Sequence, residues 1–320
     1  HSLWGAKLRR YSSLANILDI PKLFLSFFQA IFKVLWIMPN VIFSKGGPGA
    51  LPVVFTGWLY QIPSIIHESD ATPGLTNLLS AKFSKRIATA FEKAARYFDS
   101  RKTAWIGPPL RRGLIEERPS QEIAKEILQF NPQKPLILIL GGSQGSRRIN
   151  EFVLTNLTEL LKEAQIFHQT GYANLAEVQT LSRAALSELS LKEELEHRYQ
   201  AIPYLEEHLK DALSAADLIV ARAGSSTIAE IAAFGKPALL IPLAESANDH
   251  QKMNAFEFAK SGGGVVIEEA NLLPGIFLTQ VRQLLKNREE LKKMSAASAK
   301  FFKSNAAEIL AQEILKLAGL

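Results

Sequence analysis

Cysteine is absent from the 320 residues. That removes a disulfide framework, a thiolate nucleophile and a thiolate metal site at once. Histidines never fall at HxH or HExxH spacing and no Asp-x-Asp pair occurs, so no side-chain metal site and no cofactor are expected. Long apolar runs are also lacking: the longest, LFLSFFQAIFKVLWIM (23–38), is interrupted by Ser26, Gln29 and Lys33 and is too short to span a bilayer. There is no low-complexity tract, no repeat, no Gly-Lys-Ser/Thr phosphate loop, no full GxGxxG and no nucleic-acid-reading motif. The first residue is His1, with no signal peptide ahead of it, and the chain reads as an N-terminally incomplete copy.

What is present is a soluble globular composition, 47% hydrophobic and 21% charged, at a length that accommodates two domains with full cores. The net charge is +6, and much of the excess lies early: Lys7, Arg9, Arg10, Lys22 and Lys33 face only Asp19. Such a basic patch suits anionic lipid or phosphate. Short β-type runs then recur with helices between them: NVIF, SIIHE, RIATAF, TAWIG, PLILIL, AQIFH, DLIVA, PALLIP and GVVIE. Unalternating strands separated by helices imply parallel sheets buried on both faces, hence two doubly wound α/β domains with a cleft between them. The Pro- and charge-rich seam at 106–121 sets the expected domains at 1–118 and 119–320, with the last helix packing back on the first.

Two strand-to-helix turns are rich in small residues. GGSQGSRRIN (141–150) follows PLILIL, and its Gly141, Gly142 and Gly145 permit tight turning and close approach of a ligand. ARAGSSTIAEIAAFGKPALLIPL (221–243) places Gly224, Ser225, Ser226 and Thr227 between a buried strand and an apolar helix, with Ser225 or Ser226 positioned to cap that helix. Backbone amides at a helix start suit a phosphate, and Glu230 sits one turn in, where a carboxylate accepts both hydroxyls of a ribose. Structural readings stand beside these: a dipole-favourable glutamate, a plain αβ corner, a cap at Asp217. In AESANDHQKMNA (244–255), His250 and Gln251 are candidates to face a ligand and Asn254 to brace the loop; HQTG (168–171) ends a strand in the same way. In the N-terminal half, KGG (45–47) and HESDATPG (67–74) follow strands, and His67, Glu68 and Asp70 gather at one strand end as candidates for acceptor positioning or proton transfer, against turn and cap roles.

The ordered set SKGG, IIHESDATPGLTN, GPPLR, GGSQGSRRIN, HQTG, ARAGSSTIAEIAAFGKPALLIPL and DHQKMNA, spread from Phe43 to Asn254, closely resembles the MurG family of glycosyltransferases. The resemblance implies a GT-B fold and inverting transfer of N-acetylglucosamine from UDP-N-acetylglucosamine to lipid I, undecaprenyl-pyrophosphoryl-N-acetylmuramoyl-pentapeptide, in peptidoglycan synthesis. Carried over by motif, Ser143, Ser225, Ser226 and Thr227 would hold the diphosphate, with Ile228 and Ala229 following. Glu230 would take the ribose hydroxyls, the Leu205 backbone the uracil, and Gln251 the sugar hydroxyls. Arg111 would reach the nucleotide or sugar side, and Asp70 matches a donor-contacting position that is Asn in some members. It further implies a peripheral protein on the cytoplasmic side of the bacterial membrane, docked on the anionic leaflet through Ile17, Phe24 and Phe27, with other cell-wall synthesis proteins as further partners.

The family opens with a strand and a GGTGGH loop that do not occur here, so these 320 residues are expected to turn over inefficiently. The missing loop histidine also leaves the general base open among His67, Glu68 and Asp70. Alternative readings are another GT-B enzyme, such as a diacylglycerol glycosyltransferase or a UDP-sugar epimerase, and a non-catalytic UDP-sugar-binding protein.

Overall fold

Every side chain of the strand LILIL is buried, which an alternating strand on a one-sided sheet never achieves. A computed structural model shows why: that strand lies at the centre of a parallel sheet covered on both faces. The structure describes residues 14–47, 49–142, 144–187, 197–246 and 249–320, with main chain only at 14–21 and 23. The chain divides into two units, one running to Pro109 and including Lys303–Leu320, the other Leu110–Phe302.

The first unit holds β1 (Ile42–Ser44), β2 (Ser64–Glu68), β3 (Arg86–Thr89) and β4 (Thr103–Trp105), parallel and in that order. Neighbouring β2 side chains serve opposite faces. Ile65 joins Ala88 and Ile106 under Ala306 and Leu310 of the C-terminal helix Ala306–Ala318. Ile66 packs with Ile87 against Val54 of the helix Ala50–Leu59. Burying each such aliphatic side chain contributes roughly 1.5–3 kcal/mol.

The second unit holds β5 (Leu136–Leu140), β6 (Gln165–Gln169), β7 (Tyr199–Ile202), β8 (Leu218–Ala221), β9 (Ala238–Leu240) and β10 (Gly264–Val266). They form one parallel sheet in the order β10-β9-β8-β5-β6-β7. The chain builds outward from β5 on one side, then returns to β5 and builds outward on the other. β5 and β8 therefore flank the switch point, where loops diverge and ligands bind in open α/β sheets. Strand β7 carries no long apolar run (YQAI) and does not figure among the expected strands; it is the edge of the sheet, half covered.

Residues 110–118 belong with the second unit rather than the first. Arg118 donates to the Ala233 carbonyl at 2.5 Å and lies over the Phe234 ring, 4.2 Å from its centroid. Asp217 is not a helix cap; its carboxylate accepts from the Leu136 amide at 2.8 Å and from Lys125 Nζ at 2.8 Å, fixing the start of β5.

Candidate functional site

In the second unit, Leu140 of β5 and Ala221 of β8 are register partners, so the two small-residue turns leave the sheet side by side. The helix after the first turn, Arg147–Thr155, is capped: Ser146 Oγ accepts from the Ile149 amide at 3.3 Å. The helix after the second turn, Ser225–Ala233, begins differently. Its N-cap is Gly224 and no side chain caps it. Ser225 and Ser226 are thus the first helical residues, not the expected caps. The first amides of a helix have no intrahelical acceptor, and here the positive end of the helix dipole is left open to an anion.

Ser225, Ser226 and Thr227 are at least partly exposed at that start, whereas Ile228 and Ala229 are turned into the core, 0% and 1% exposed, which takes their side chains away from any ligand. Glu230 is half-buried one turn further on. Burial pushes its carboxyl up to about 7, and the positive charge of Arg111 pulls it part of the way back. Arg111 itself is exposed. A poorly solvated carboxylate one turn from an anion-accepting helix start is suited to a vicinal diol attached to a phosphate.

Gly142 has φ +89° and open space where a side chain would project, so the first turn presents bare backbone. Gly145, at φ +76°, lies against the next loop: a methyl group there would overlap the Thr170 carbonyl, and one on Gly171 would overlap the Gln144 carbonyl. The HQTG segment is the brace for this contact. Tyr199 donates to His168 Nδ1 (2.9 Å), His168 Nε2 donates to Asn150 Oδ1 (3.1 Å), and Asn150 donates to the Thr170 carbonyl (2.9 Å). Only a neutral imidazole fits that sequence, and burial holds His168 down to about 3. Gln169 adds a bond to the Gly142 carbonyl at 2.8 Å. Ser143 lies outside the described residues.

Of the remaining sequence-derived residues, Gln251 is tied to its own loop, its Oε1 accepting from the Leu243 amide at 3.1 Å. Asn254, 0% exposed, donates to the Ala223 carbonyl at 3.4 Å and so braces the second turn. Leu205, just past β7, buries its side chain. Sequence reading passed over Arg222 and Glu269, whose buried ion pair measures 2.8 Å. One arginine inside the small, uncharged run LIVA-R-AGSS was the available signal.

In the first unit the expected catalytic trio separates. His67 is 0% exposed; its Nε2 donates to the Gly107 carbonyl (3.2 Å) and its Nδ1 accepts from Ser69 Oγ (3.3 Å). Burial outweighs the Gly107 bond and lowers it to about 4. Glu68, 4% exposed, accepts from the Asp70 amide (3.0 Å), the Gly74 amide (3.2 Å) and Asn77 Nδ2 (2.9 Å). Both side chains clamp the 69–74 loop, and neither offers an atom to a substrate. Asp70, on that loop, is half-buried. Nearby, Gly46 and Gly47 take positive φ at the mouth of an open cavity of about 430 Å³.

The helix Leu14–Ile37 shows two apolar stripes. Ser26, Ala30 and Val34 are buried, and Phe27 packs edge-on against Phe55 with centroids 5.4 Å apart. Phe27 therefore faces the protein, contrary to its expected outward role. Phe24, Phe28, Phe32 and Trp36 face out, 61–90% exposed. The Ile17 side chain lies outside the described residues. Among the described residues no helix is long and apolar enough to cross a membrane.

The glycosyltransferase family 28 N-terminal domain matches residues 1–89 and the family 28 C-terminal domain residues 136–310. A Clostridium kluyveri protein described as UDP-N-acetylglucosamine–N-acetylmuramyl-(pentapeptide) pyrophosphoryl-undecaprenol N-acetylglucosamine transferase is 36% identical over 300 residues, 93% of this chain and 80% of its own length. Among solved structures, Acinetobacter baumannii MurG superposes with TM-score 0.73 at 27% identity, covering 98% of this chain and 83% of that one. The S. aureus MnaA–UDP co-structure, at TM-score 0.65 and 14% identity over 97% of this chain and 83% of that one, shares the fold alone. The chain belongs to glycosyltransferase family 28 and, within it, to the MurG family.

Proposed function

We propose that the protein transfers N-acetylglucosamine from UDP-N-acetylglucosamine to the 4-hydroxyl of lipid I, forming lipid II. One observation carries the donor half of this reading: an uncapped helix start at the β5/β8 switch point, with Glu230 one turn in. The donor diphosphate lies against the amides of 225–227 and the bare backbone of Gly142. Glu230 takes the ribose hydroxyls, Leu205 offers backbone to the base, Gln251 meets the sugar, and Arg111 adds positive charge nearby. The acceptor 4-hydroxyl oxygen forms its bond to the sugar C1 as the bond from C1 to the diphosphate oxygen breaks. The electron pair leaves with UDP, and the hydroxyl proton passes to a base, for which Asp70 is the proposed group. The amides and the helix dipole stabilise that departing charge as preorganised electrostatics. Of the His67–Glu68–Asp70 group, Asp70 is the proposed substrate contact; the other two hold its loop. The reading named in the Clostridium kluyveri relative supports this substrate pair. Incubation with labelled donor and both lipid I and diacylglycerol checks it. Label on lipid I is expected, and label on diacylglycerol would remove the reading.

The lipid-linked acceptor gives the outward aromatic stripe its role: Phe24, Phe28, Phe32 and Trp36 enter the headgroup region of an anionic leaflet. Replacing Phe28, Phe32 and Trp36 together by Ser is expected to lower partitioning onto phosphatidylglycerol vesicles at least tenfold, since each exposed aromatic contributes roughly 1–3 kcal/mol on burial. Unchanged sedimentation with the vesicles would refute the docking surface.

A further inference from the structure

Arg222 leaves β8 three residues before the uncapped helix start at Ser225, yet its guanidinium points away from solvent and the residue is 7% exposed. Its Nη2 donates to Ser146 Oγ at 2.8 Å and to Glu269 Oε1 at 2.8 Å, and its Nη1 donates to the Ile241 carbonyl at 3.2 Å. Glu269, 6% exposed, uses its second oxygen to accept from the Ala244 amide at 3.2 Å. Arg148 donates from Nη2 to the Glu269 carbonyl at 3.0 Å and keeps its Nε 3.6 Å from Oε1, with 60% of its side chain exposed. One buried pair therefore touches four strand ends: the cap of the glycine turn after β5, the turn after β8, the exit of β9 with its Ala244 loop, and the segment after β10.

We infer that the Arg222–Glu269 pair is a positioning element for the donor, holding the two phosphate-facing turns and the 241–244 segment in a single register without touching the ligand. This rests on the donor reading above. The physical case is one of geometry. The two turns present amides and a bare glycine backbone, groups with no side-chain freedom with which to adjust to a ligand. Their spacing must come from what lies behind them, and the guanidinium fork is the planar, multi-donor group that bonds three acceptors from three different segments. Gln251 depends on the same frame, because Leu243, its partner, adjoins Ala244. A buried ion pair is a poor source of net stability, since desolvation offsets its attraction, so its retention behind a binding surface fits positioning better than folding.

The test separates the two roles. Removing one partner strands a buried charge, so the informative variant is the double Arg222→Met/Glu269→Leu, in which apolar groups of similar size replace the pair. It is expected to unfold below the wild-type temperature, because the Ile241 carbonyl and the Ala244 amide lose their partners, yet to stay folded at the assay temperature while its donor KM rises at least tenfold and its lipid I KM stays within twofold. Arg222→Lys, which keeps the charge but reaches fewer acceptors, is expected to fold and to recover part of the donor affinity relative to the double variant. A folded double variant, or a folded Arg222→Lys variant, with a donor KM and a UDP-N-acetylglucosamine Kd within twofold of wild type overturns the inference. Wild-type protein that fails to bind UDP-N-acetylglucosamine by calorimetry would instead remove the donor reading, so the two failures are distinct.

Discussion

Glu230→Ala is expected to weaken UDP-N-acetylglucosamine binding about 100-fold while leaving the protein folded. The estimate follows from losing two hydrogen bonds to a charged acceptor, together about 3 kcal/mol. The carboxylate has few alternatives for satisfying itself, since burial leaves it poorly solvated and Arg111 supplies charge but no hydrogen bond. The same burial predicts a pH dependence. With the carboxyl pushed up to about 7, the ligand-free protein is partly protonated at neutral pH, and a protonated acid no longer accepts from both hydroxyls. Donor affinity should therefore rise about tenfold from pH 6 to pH 8, and Glu230→Gln should flatten the profile. The sugar nucleotide is the correct probe, because the terminal phosphate of free UDP titrates near pH 6 and would mimic the effect. Stability moves the opposite way. A carboxyl raised on folding stabilises the ligand-free protein below its ordinary value of 4.5, and that contribution is lost as pH rises through about 7. Calorimetric titration across this range decides the matter; a flat wild-type profile, or an unaltered Kd in Glu230→Ala, would end the ribose assignment.

Gly145→Ala should be the most damaging small substitution in the second unit. Its φ of +76° imposes about 1–2 kcal/mol of strain on any L-residue. Its new methyl would also overlap the Thr170 carbonyl, an atom already fixed by Asn150 and Asn174 at 2.9 Å each. Since that acceptor cannot retreat without breaking both bonds, the total cost is expected to reach about 4 kcal/mol. Gly142→Ala is the matched control: φ is +89° but the space beside it is open, so strain alone applies. Thermal unfolding should show Gly145→Ala well below Gly142→Ala. Equal melting temperatures would mean that the contact between the two loops is not a constraint.

How much of this was legible depended on whether the signal was local. Runs such as LILIL and SIIHE announced doubly covered parallel strands because burial on both faces leaves no alternation to misread. YQAI, on the sheet edge, carries a polar residue inside a short run and gives no such signal. The paired turns and Glu230 were readable from spacing, but which turn lacked a cap was not: Ser146 caps its helix, whereas Ser225 sits inside the next one. Polar residues at a strand end proved the least decisive cue. His67 and Glu68 have the chemistry of proton transfer, yet their bonds to Gly107, Ser69, Asp70, Gly74 and Asn77 make them loop fasteners. Arg222 showed only as an isolated charge in LIVA-R-AGSS, and its role was not readable because its partners lie 19, 47 and 76 positions away.

The helix Ala306–Ala318 closes one face of the first unit, on Ile65, Ala88 and Ile106, although the whole of the second unit separates it from them in the chain. Synthesis on the ribosome thus imposes an order. The continuous second unit can mature as soon as residue 302 has emerged, while the earlier-made first unit must wait with an uncovered sheet face. During that interval Ile65, Ala88 and Ile106 lack the helix that covers them.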